Sequence, residues 1–307
     1  SCAGSTRGGA AFMWGSLPGS ERHAGRARGL WARARLCVLV LALWPGFGWA
    51  EGADAPARVV SMNLCTDQLA LQIAAPGQLV SVSMLAADPM SSAMPEAAAG
   101  YRLNRGRAEE IFALAPDLVL AGAWSDPATV RLLTRLGVRV QRFDLARRVE
   151  DIPARLREMG AALGQPARAE ALAAAFEARL ARLALPEGHA EPEAAFWYAN
   201  GYTLGAGSLA HDILAHAGFA NAAARAGRQG GATMALEELV LAAPDLLVSS
   251  QPYGGASRAE EILRHPALEG LAPVALSSPE WTCGAPHVLN AVEMMQGWRT
   301  RLGPGQE

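Results

Sequence analysis

Residues Pro166–Leu185 read PARAEALAAAFEARLARLAL, and the rest of the chain is arranged around them. Alanine, leucine, glutamate and arginine are strong helix formers, and proline is tolerated in the first turn of a helix because an N–H there has no intrahelical partner. The apolar residues recur at spacings of three and four, which places them on one face. The stretch therefore predicts one unbroken helix with one packed face and one face in water.

A repeated segment lies on each side of this helix. Glu109–Gly122 reads EEIFALAPDLVLAG and Glu237–Ser250 reads EELVLAAPDLLVSS, and the two are identical at six of fourteen positions at a constant offset of 128 residues. Each copy predicts a short helix that a proline stops, a turn at an aspartate and a buried parallel strand. An internal repeat indicates two related units. The predicted fold class is therefore α/β, with two parallel-sheet α/β lobes joined by a single long helix.

The alternation of strands and helices in each lobe predicts where a ligand binds. In lobe 1 we expect a first helix over 68–75 that Cys65, Thr66 and Asp67 cap, and irregular chain over 88–107. Ligand loops in such sheets lie at the carboxyl ends of the strands. The predicted loops of this kind are 63–67, 83–87 and 123–126 in lobe 1, and 200–208, 251–255 and 277–286 in lobe 2.

The first fifty residues predict an export leader. Residues 1–12 precede the first methionine and are treated as upstream sequence; five arginines then precede an apolar run that starts at Leu36, and Gly48, Trp49 and Ala50 offer small residues for cleavage. A membrane helix is the alternative, but 36–50 contains Pro45 and is shorter than the roughly 20 residues needed to span. We expect cleavage after Ala50, an N-terminal lobe over 51–148, a helical linker over 149–190 and a C-terminal lobe over 191–307.

Charge excludes several classes of function. Residues 1–50 hold six of the 27 arginines and one of the 29 acidic residues, so the mature chain has 21 arginines against 28 acids. This negative balance argues against nucleic-acid binding. The chain contains no lysine, which rules out a Schiff-base lysine and a Walker-type phosphate loop.

The motifs for catalysis and cofactors are weak. Gly205–Ala210 fits G-x-G-x-x-A but begins several residues after a strand and lacks the acidic residue expected about 20 residues later, so a plain glycine-rich loop is favoured. Ser208 with His211 and Asp212 is better explained as a helix cap than as a hydrolase triad. His211 and His216 are five apart, on different helix faces. No cofactor and no bare-metal site are predicted.

Aromatic residues at predicted strand ends give the clearest indication of a ligand. Trp124, Tyr202, Tyr253 and Trp281 lie on loops of both lobes. Exposed rings are costly unless a ligand or partner covers them. Together they favour a ligand cleft over four separate packing sites, and truncating Trp124 or Trp281 is expected to weaken ligand binding and leave the fold intact.

Five segments together resemble the class III periplasmic binding proteins of ABC importers, the receptors for ferric siderophores, haem and vitamin B12. They are RVVSMNLCTDQL (58–69), the approach to APDLVL (104–116), TLGAGSLAHDILAHAGFAN (203–221), the second APDLLV, and SSPEWTCGAPHVLNAVEMM (277–295). The resemblance covers nearly all of residues 58–302. It implies two lobes bridged by one long helix, little lobe motion and a shallow cleft for one metal chelate.

The resemblance also assigns residues by position. It implies ligand contacts at Asn63, Cys65, Trp124, Tyr202, Tyr253, Glu280 and Trp281. It further implies permease docking through one acidic residue on each lobe; Glu96 fits the first, but Ala220 stands where the second is expected.

These observations predict a monomeric, non-catalytic receptor in the periplasm that passes an iron chelate or cobalamin to an inner-membrane permease. The alternatives are an exported cleft hydrolase acting through His287 or Glu280, and a receptor for bare zinc or manganese. Cleavage of the leader leaves two cysteines, Cys65 and Cys283, one on a cleft-side loop of each lobe. They either form a disulfide across the lobes or remain separate thiols in the site.

Overall fold

A parallel sheet of five strands is built by the first half of the described chain. The computed structural model describes residues 55–252 and 257–303, so the predicted leader lies outside the described residues. The strands are β1 (Val59–Ser61), β2 (Leu79–Ser83), β3 (Arg102–Asn104), β4 (Leu118–Gly122) and β5 (Val140–Phe143), in the order β3-β2-β1-β4-β5. The helices between them are α1 (Leu64–Ile73), α2 (Pro95–Ala98), α3 (Ala108–Phe112) and α4 (Pro127–Arg135). The strand order reverses between β1 and β4, and ligands bind at such a switch point in open α/β sheets.

Two helices follow lobe 1. They are α5 (Ile152–Leu163) and α6 (Pro166–Arg182), and α6 is the predicted long helix, ending three residues earlier than expected. At its start, the guanidinium of Arg168 donates to the carbonyl of Ala74 in lobe 1 at 3.3 Å. Near its end, Arg179 donates to the side-chain oxygen of Asn290 at 2.6 Å, in the last helix of the chain. The helix therefore contacts both lobes.

Lobe 2 contains a second parallel sheet and a small antiparallel ribbon. Its strands are β6 (Glu193–Phe196), β7 (Tyr202–Leu204), β8 (Ala220–Asn221), β9 (Gly231–Thr233), β10 (Leu246–Ser249) and β11 (Val274–Leu276), and its helices are α7 (Leu209–His216), α8 (Ala222–Arg225), α9 (Leu236–Ala242) and α10 (Val288–Leu302). The sheet has the order β11-β10-β6-β8, and β7 pairs with β9 antiparallel. The expectation of a loop over 200–208 is wrong for Tyr202–Leu204, which form β7 of the ribbon. These strands have three residues each and no apolar alternation to predict them.

The two repeat copies share backbone details. Ala115 and Ala243, equivalent at the 128-residue offset, both adopt a left-handed conformation, with φ of 46° and 43°. The carboxylate of Asp117 accepts from the backbone N–H of Ala57 at 2.7 Å, and that of Asp245 accepts from the N–H of Glu193 at 2.7 Å. The aspartate of each APD segment therefore holds the chain that enters the neighbouring strand, in addition to making the predicted turn.

One hydrophobic core runs through both lobes. It joins Val59 and Leu118 of the first sheet to Phe196 and Val248 of the second through buried residues of α5, α6, α7 and α10. Two smaller clusters cover the outer faces of the two sheets. A large opening of the lobes would expose this shared core to water, which is unfavourable. No helix among the described residues is long and apolar enough to cross a membrane.

Candidate functional site

A cavity of about 510 Å³ lies between the two lobes at the switch point. On lobe 1 its walls come from the carboxyl ends of β1, β4 and β5, and on lobe 2 from the ribbon and the start of α7. We call it the Trp124 cavity. Its lining includes Asn63, Cys65, Gly122, Trp124, Phe143, Asp144, Leu145, Arg147, Arg155, Tyr202, Leu204, Ser208, Trp281 and Thr282.

Most of the residues assigned by resemblance line this cavity. They are Asn63, Cys65, Trp124, Tyr202 and Trp281. Glu280 lies outside the cavity lining, and its carboxylate accepts hydrogen bonds from the Asn290 amide at 2.6 Å and the Ser278 hydroxyl at 3.1 Å. Tyr253 lies outside the described residues.

Asn63 is the N-cap of α1. Its side-chain oxygen accepts from the backbone N–H of Cys65 at 3.1 Å, so α1 begins at Leu64 and not at Gln68 as expected. Asparagine is among the best N-cap residues, which explains the earlier start. A Cβ on Gly122 would collide with the Asn63 side chain. The glycine thus leaves room for this amide at the end of β4.

The aromatic rings of the cavity differ in burial. Trp124 is 79% exposed and Tyr202 is 43% exposed, so a ligand could cover both. Trp281 is only 7% exposed and packs edge-to-face on Phe196, with ring centroids 5.8 Å apart. Its indole N–H is buried and has no hydrogen-bond partner among the described residues. Trp281 therefore belongs to the core as much as to the cavity wall.

Two arginines that sequence reasoning missed bring positive charge to the Trp124 cavity. Arg147 donates to the carbonyl of Gly207 at 3.4 Å, across the lobes, and Arg155 is paired with Glu158 at 2.5 Å. Arg147 follows β5, and the loop after this strand is not among the ligand loops predicted from the sequence. Arg225 and Arg228 lie outside this lining and pair with Glu193 and Glu238.

A second cavity of about 570 Å³ adjoins the first and shares Tyr202 and Thr282 with it. It lies between the segment after β2 and the carboxyl ends of β10 and β11. We call it the Gln251 cavity. Its lining includes Pro89, Met90, Tyr198, Ser250, Gln251, Ser257, Glu260, Ser277 and Ser278.

The cleft is crossed by a covalent bond between the lobes. Cys65 in the first turn of α1 and Cys283 before α10 form a disulfide, with their Cα atoms 5.1 Å apart. Of the two alternatives left open by the sequence, the structure contains the bond. Because Cys65 lines the Trp124 cavity, the disulfide forms part of its wall.

The comparisons with known proteins agree with this geometry. A family model described as periplasmic binding protein matches residues 59–275. The chain belongs to this family. The prediction of class III architecture, with two parallel-sheet α/β lobes, is confirmed by solved structures of the same fold, and membership of the family implies an exported binding protein.

Three solved structures show how close the fold of this periplasmic binding protein is to others. The periplasmic haem-binding protein RhuT from Roseiflexus sp. RS-1, in apo form, is 24% identical; the match covers 80% of this chain and 98% of that chain, with a TM-score of 0.67. The periplasmic vitamin B12 binding protein BtuF of Vibrio cholerae is 18% identical, with 82% of this chain and 99% of that chain covered and a TM-score of 0.65. A periplasmic haem-binding protein from Pseudomonas aeruginosa is 22% identical, with 79% of this chain and 92% of that chain covered and a TM-score of 0.64. Among proteins of curated function, none matches the chain.

One group of possible metal ligands occurs in the described residues, and none of its members lines either cavity. It consists of Glu150, Asp212 and His216. The His216 Nε2 lies 3.0 Å from a Glu150 oxygen, and Arg148 lies 3.2 Å from the other oxygen of Glu150. The Arg148 guanidinium already occupies part of the space around this carboxylate. The cluster is therefore better explained as an ion-pair network between the linker and α7 than as a metal site.

A buried carboxylate lies beneath the cleft. Asp67, in α1, is fully buried and accepts hydrogen bonds from the Ser83 N–H at 3.2 Å and the Ser83 hydroxyl at 2.5 Å. Burial raises its pKa to about 6, although the hydrogen bonds from Ser61 and Ser83 act in the opposite direction. The carboxylate thus ties the end of β2, which leads into the cleft, to the first helix.

We expect Asp67 to make the folded protein more stable in mild acid. Between pH about 4 and 6 the folded state holds a proton here that the unfolded state lacks, so stability falls as pH rises through this window. Two pKa units correspond to about 3 kcal/mol at most. Urea unfolding at pH 4.5, 5.5 and 7 measures it. Burial lowers the pKa of His287, whose effect has the opposite sign. The contribution of Asp67 is therefore the difference in pH dependence of unfolding free energy between the wild type and Asp67→Asn. Equal pH slopes for the two proteins would contradict the prediction.

Proposed function

We propose that this protein is the periplasmic solute receptor of an ABC importer. It captures an iron chelate, a siderophore or haem, or else cobalamin, and delivers it to an inner-membrane permease. The observation that carries the proposal is the Trp124 cavity: both lobes contribute to it, its exposed rings are Trp124 and Tyr202, and two arginines flank it. The haem-binding and vitamin B12 binding proteins of the same fold support this class of ligand.

Such a receptor needs aromatic area and a few polar anchors, and no acid–base pair. Among the described residues, no histidine lines either cavity. His287 and Glu280, the candidates for a hydrolase, are outside both linings, and Glu280 is engaged by Asn290. A bare-metal receptor would need several ligands converging across the lobes. In the part of the chain that the structure describes, the one group of possible ligands is Glu150, Asp212 and His216, which line neither cavity. The non-catalytic receptor is therefore preferred to both alternatives.

Export and docking complete the proposal. The leader is removed after Ala50, and the mature chain acts as a monomer in the periplasm. Glu96 is exposed in the first turn of α2, a position that suits a docking contact with a permease arginine. On lobe 2 the equivalent place is occupied by Ala220, so its docking contact lies at another residue.

Trp124→Ala is expected to weaken ligand binding by about 1–3 kcal/mol, as truncation of a central aromatic anchor does. The ring is mostly exposed, so the free energy of unfolding should stay within about 0.5 kcal/mol of the wild type. A thermal-shift screen with ferric siderophores, haem and cobalamin identifies the ligand, and isothermal titration calorimetry then measures affinity. A ligand at about a hundred times its Kd adds roughly 2.7 kcal/mol of stability.

The matched control is Leu241→Ala. Leu241 is 84% exposed, lies in α9 and lines neither cavity. It should change neither affinity nor stability. Unchanged affinity in Trp124→Ala would place the ligand away from this cavity, and a screen in which no metal chelate binds would refute the proposed function.

A further inference from the structure

The two adjoining cavities offer more room than one flat ring requires. Each cavity, at about 510 and 570 Å³, is of the size that holds one drug-sized ligand, roughly 300–1,000 Å³. Tyr202 and Thr282 belong to both linings, so the cavities are neighbours along one cleft. The cleft therefore accommodates either one large ligand that extends into both cavities or two smaller ligands.

The chemistry of the two cavities differs. The Trp124 cavity presents aromatic and aliphatic side chains, which suit the face of a flat macrocycle, together with the guanidinium groups of Arg147 and Arg155. The Gln251 cavity presents hydroxyl and amide groups. Its polar lining residues are Tyr198, Ser250, Gln251, Ser257, Ser277, Ser278 and Thr282, with Glu260.

No basic side chain lines the Gln251 cavity among the described residues. Burial raises the pKa of Tyr198 to about 12, so its phenol stays neutral. A ligand carboxylate would find no cation among the described side chains of this lining. Neutral amides both donate and accept hydrogen bonds, as do hydroxyl and carboxamide side chains. This lining therefore favours a ligand rim of neutral amides over a rim of carboxylates.

We propose that the ligand is a corrinoid, with its ring against Trp124 and Tyr202 and part of its amide-bearing rim in the Gln251 cavity. The inference rests on the proposed function and narrows its ligand class. Haem carries apolar groups and two carboxylates on its rim, and ferric catecholates carry net negative charge. Haem therefore offers no neutral amide to the Gln251 cavity, and the negative charge of a ferric catecholate finds no cation among the described residues that line it.

Isothermal titration calorimetry with the purified protein tests this, using cyanocobalamin, dicyanocobinamide, cobyrinic acid and haemin. Dicyanocobinamide lacks the nucleotide arm but keeps the amide rim, and it should bind at one per chain. Cobyrinic acid carries carboxylates in place of the amides and should bind at least tenfold more weakly than dicyanocobinamide. Gln251→Leu should weaken the binding of dicyanocobinamide about 3- to 10-fold, which is the effect of losing one neutral hydrogen bond. Gln141→Leu, in β5 and outside both linings, is the matched control.

The other outcomes distinguish this inference from the proposed function. Tight binding of haemin or a ferric siderophore, with no corrinoid bound, would overturn the inference and leave the receptor function standing. Two haemins per chain would do the same and would assign one macrocycle to each cavity. If corrinoid affinity is unchanged both by Gln251→Leu and by the replacement of amides with carboxylates, the Gln251 cavity is not part of the binding site, which would overturn the inference. Failure of every metal chelate to bind would refute the proposed function itself.

Discussion

Reduction of the disulfide between Cys65 and Cys283 is expected to lower the free energy of unfolding by about 3–5 kcal/mol. The two cysteines are 218 residues apart, so the bond closes almost the whole of the two-lobed unit into one loop. In the loop-entropy model, a longer closed loop removes more conformations from the unfolded chain, which stabilises the folded state.

Urea unfolding of the protein with and without dithiothreitol measures this effect. The control is the double variant Cys65→Ala/Cys283→Ala, which should resemble the reduced wild type and should not respond to dithiothreitol. Thiol titration of the unfolded, unreduced protein should find no free cysteine in the mature chain. Two free thiols per mature chain would refute the bond, and an unchanged urea midpoint after reduction would refute its contribution to stability.

The disulfide also bears on ligand release. The lobes share one hydrophobic core, α6 contacts both of them, and the bond joins them at the cleft. Each of these features opposes a wide opening. We therefore propose that a ligand enters and leaves a cleft that stays largely formed, as the resemblance to rigid two-lobed receptors implies.

The fold was predictable because its main elements are encoded locally. The repeat predicts two strands that each lie in the interior of a parallel sheet, and Pro166 with its alanine-rich sequence predicts α6. The missed elements are short: β3, β7 and β9 have three residues each. Their pairing depends on distant parts of the chain, and they have no local alternation of apolar residues that would predict a strand.

The position of the candidate site could be predicted from the sequence better than its details. Strand-end loops placed Asn63, Trp124 and Tyr202 at one cavity. The resemblance implies a ligand contact at Glu280. In the structure its half-buried carboxylate instead accepts a hydrogen bond from Asn290 of α10, because a buried acceptor takes the nearest available donor. Arg147 and the Gln251 cavity could not be read from the sequence, since both depend on how the two lobes meet.

Trp281→Ala is expected to destabilise the fold by about 3–5 kcal/mol, the usual result of truncating a buried tryptophan. The sequence, which placed this ring on a ligand loop, suggested an intact fold. The structure shows why that expectation must change: Trp281 is 7% exposed and packs on Phe196 within the core that joins the lobes. Loss of ligand binding in this variant would therefore not by itself identify a ligand contact.

Trp281→Phe separates packing from ligand binding. Phenylalanine keeps an aromatic ring against Phe196 and removes the indole N–H, which has no partner within the described protein. We expect a smaller loss of stability than in Trp281→Ala, because the remaining ring leaves a smaller cavity, and urea unfolding with far-UV circular dichroism measures it. If the N–H binds the ligand, Trp281→Phe also lowers affinity by about 3- to 10-fold, whereas affinity equal to the wild type assigns the ring to packing alone. Wild-type stability in Trp281→Ala would show instead that this ring is not part of the core, and that the lobes are held together without it.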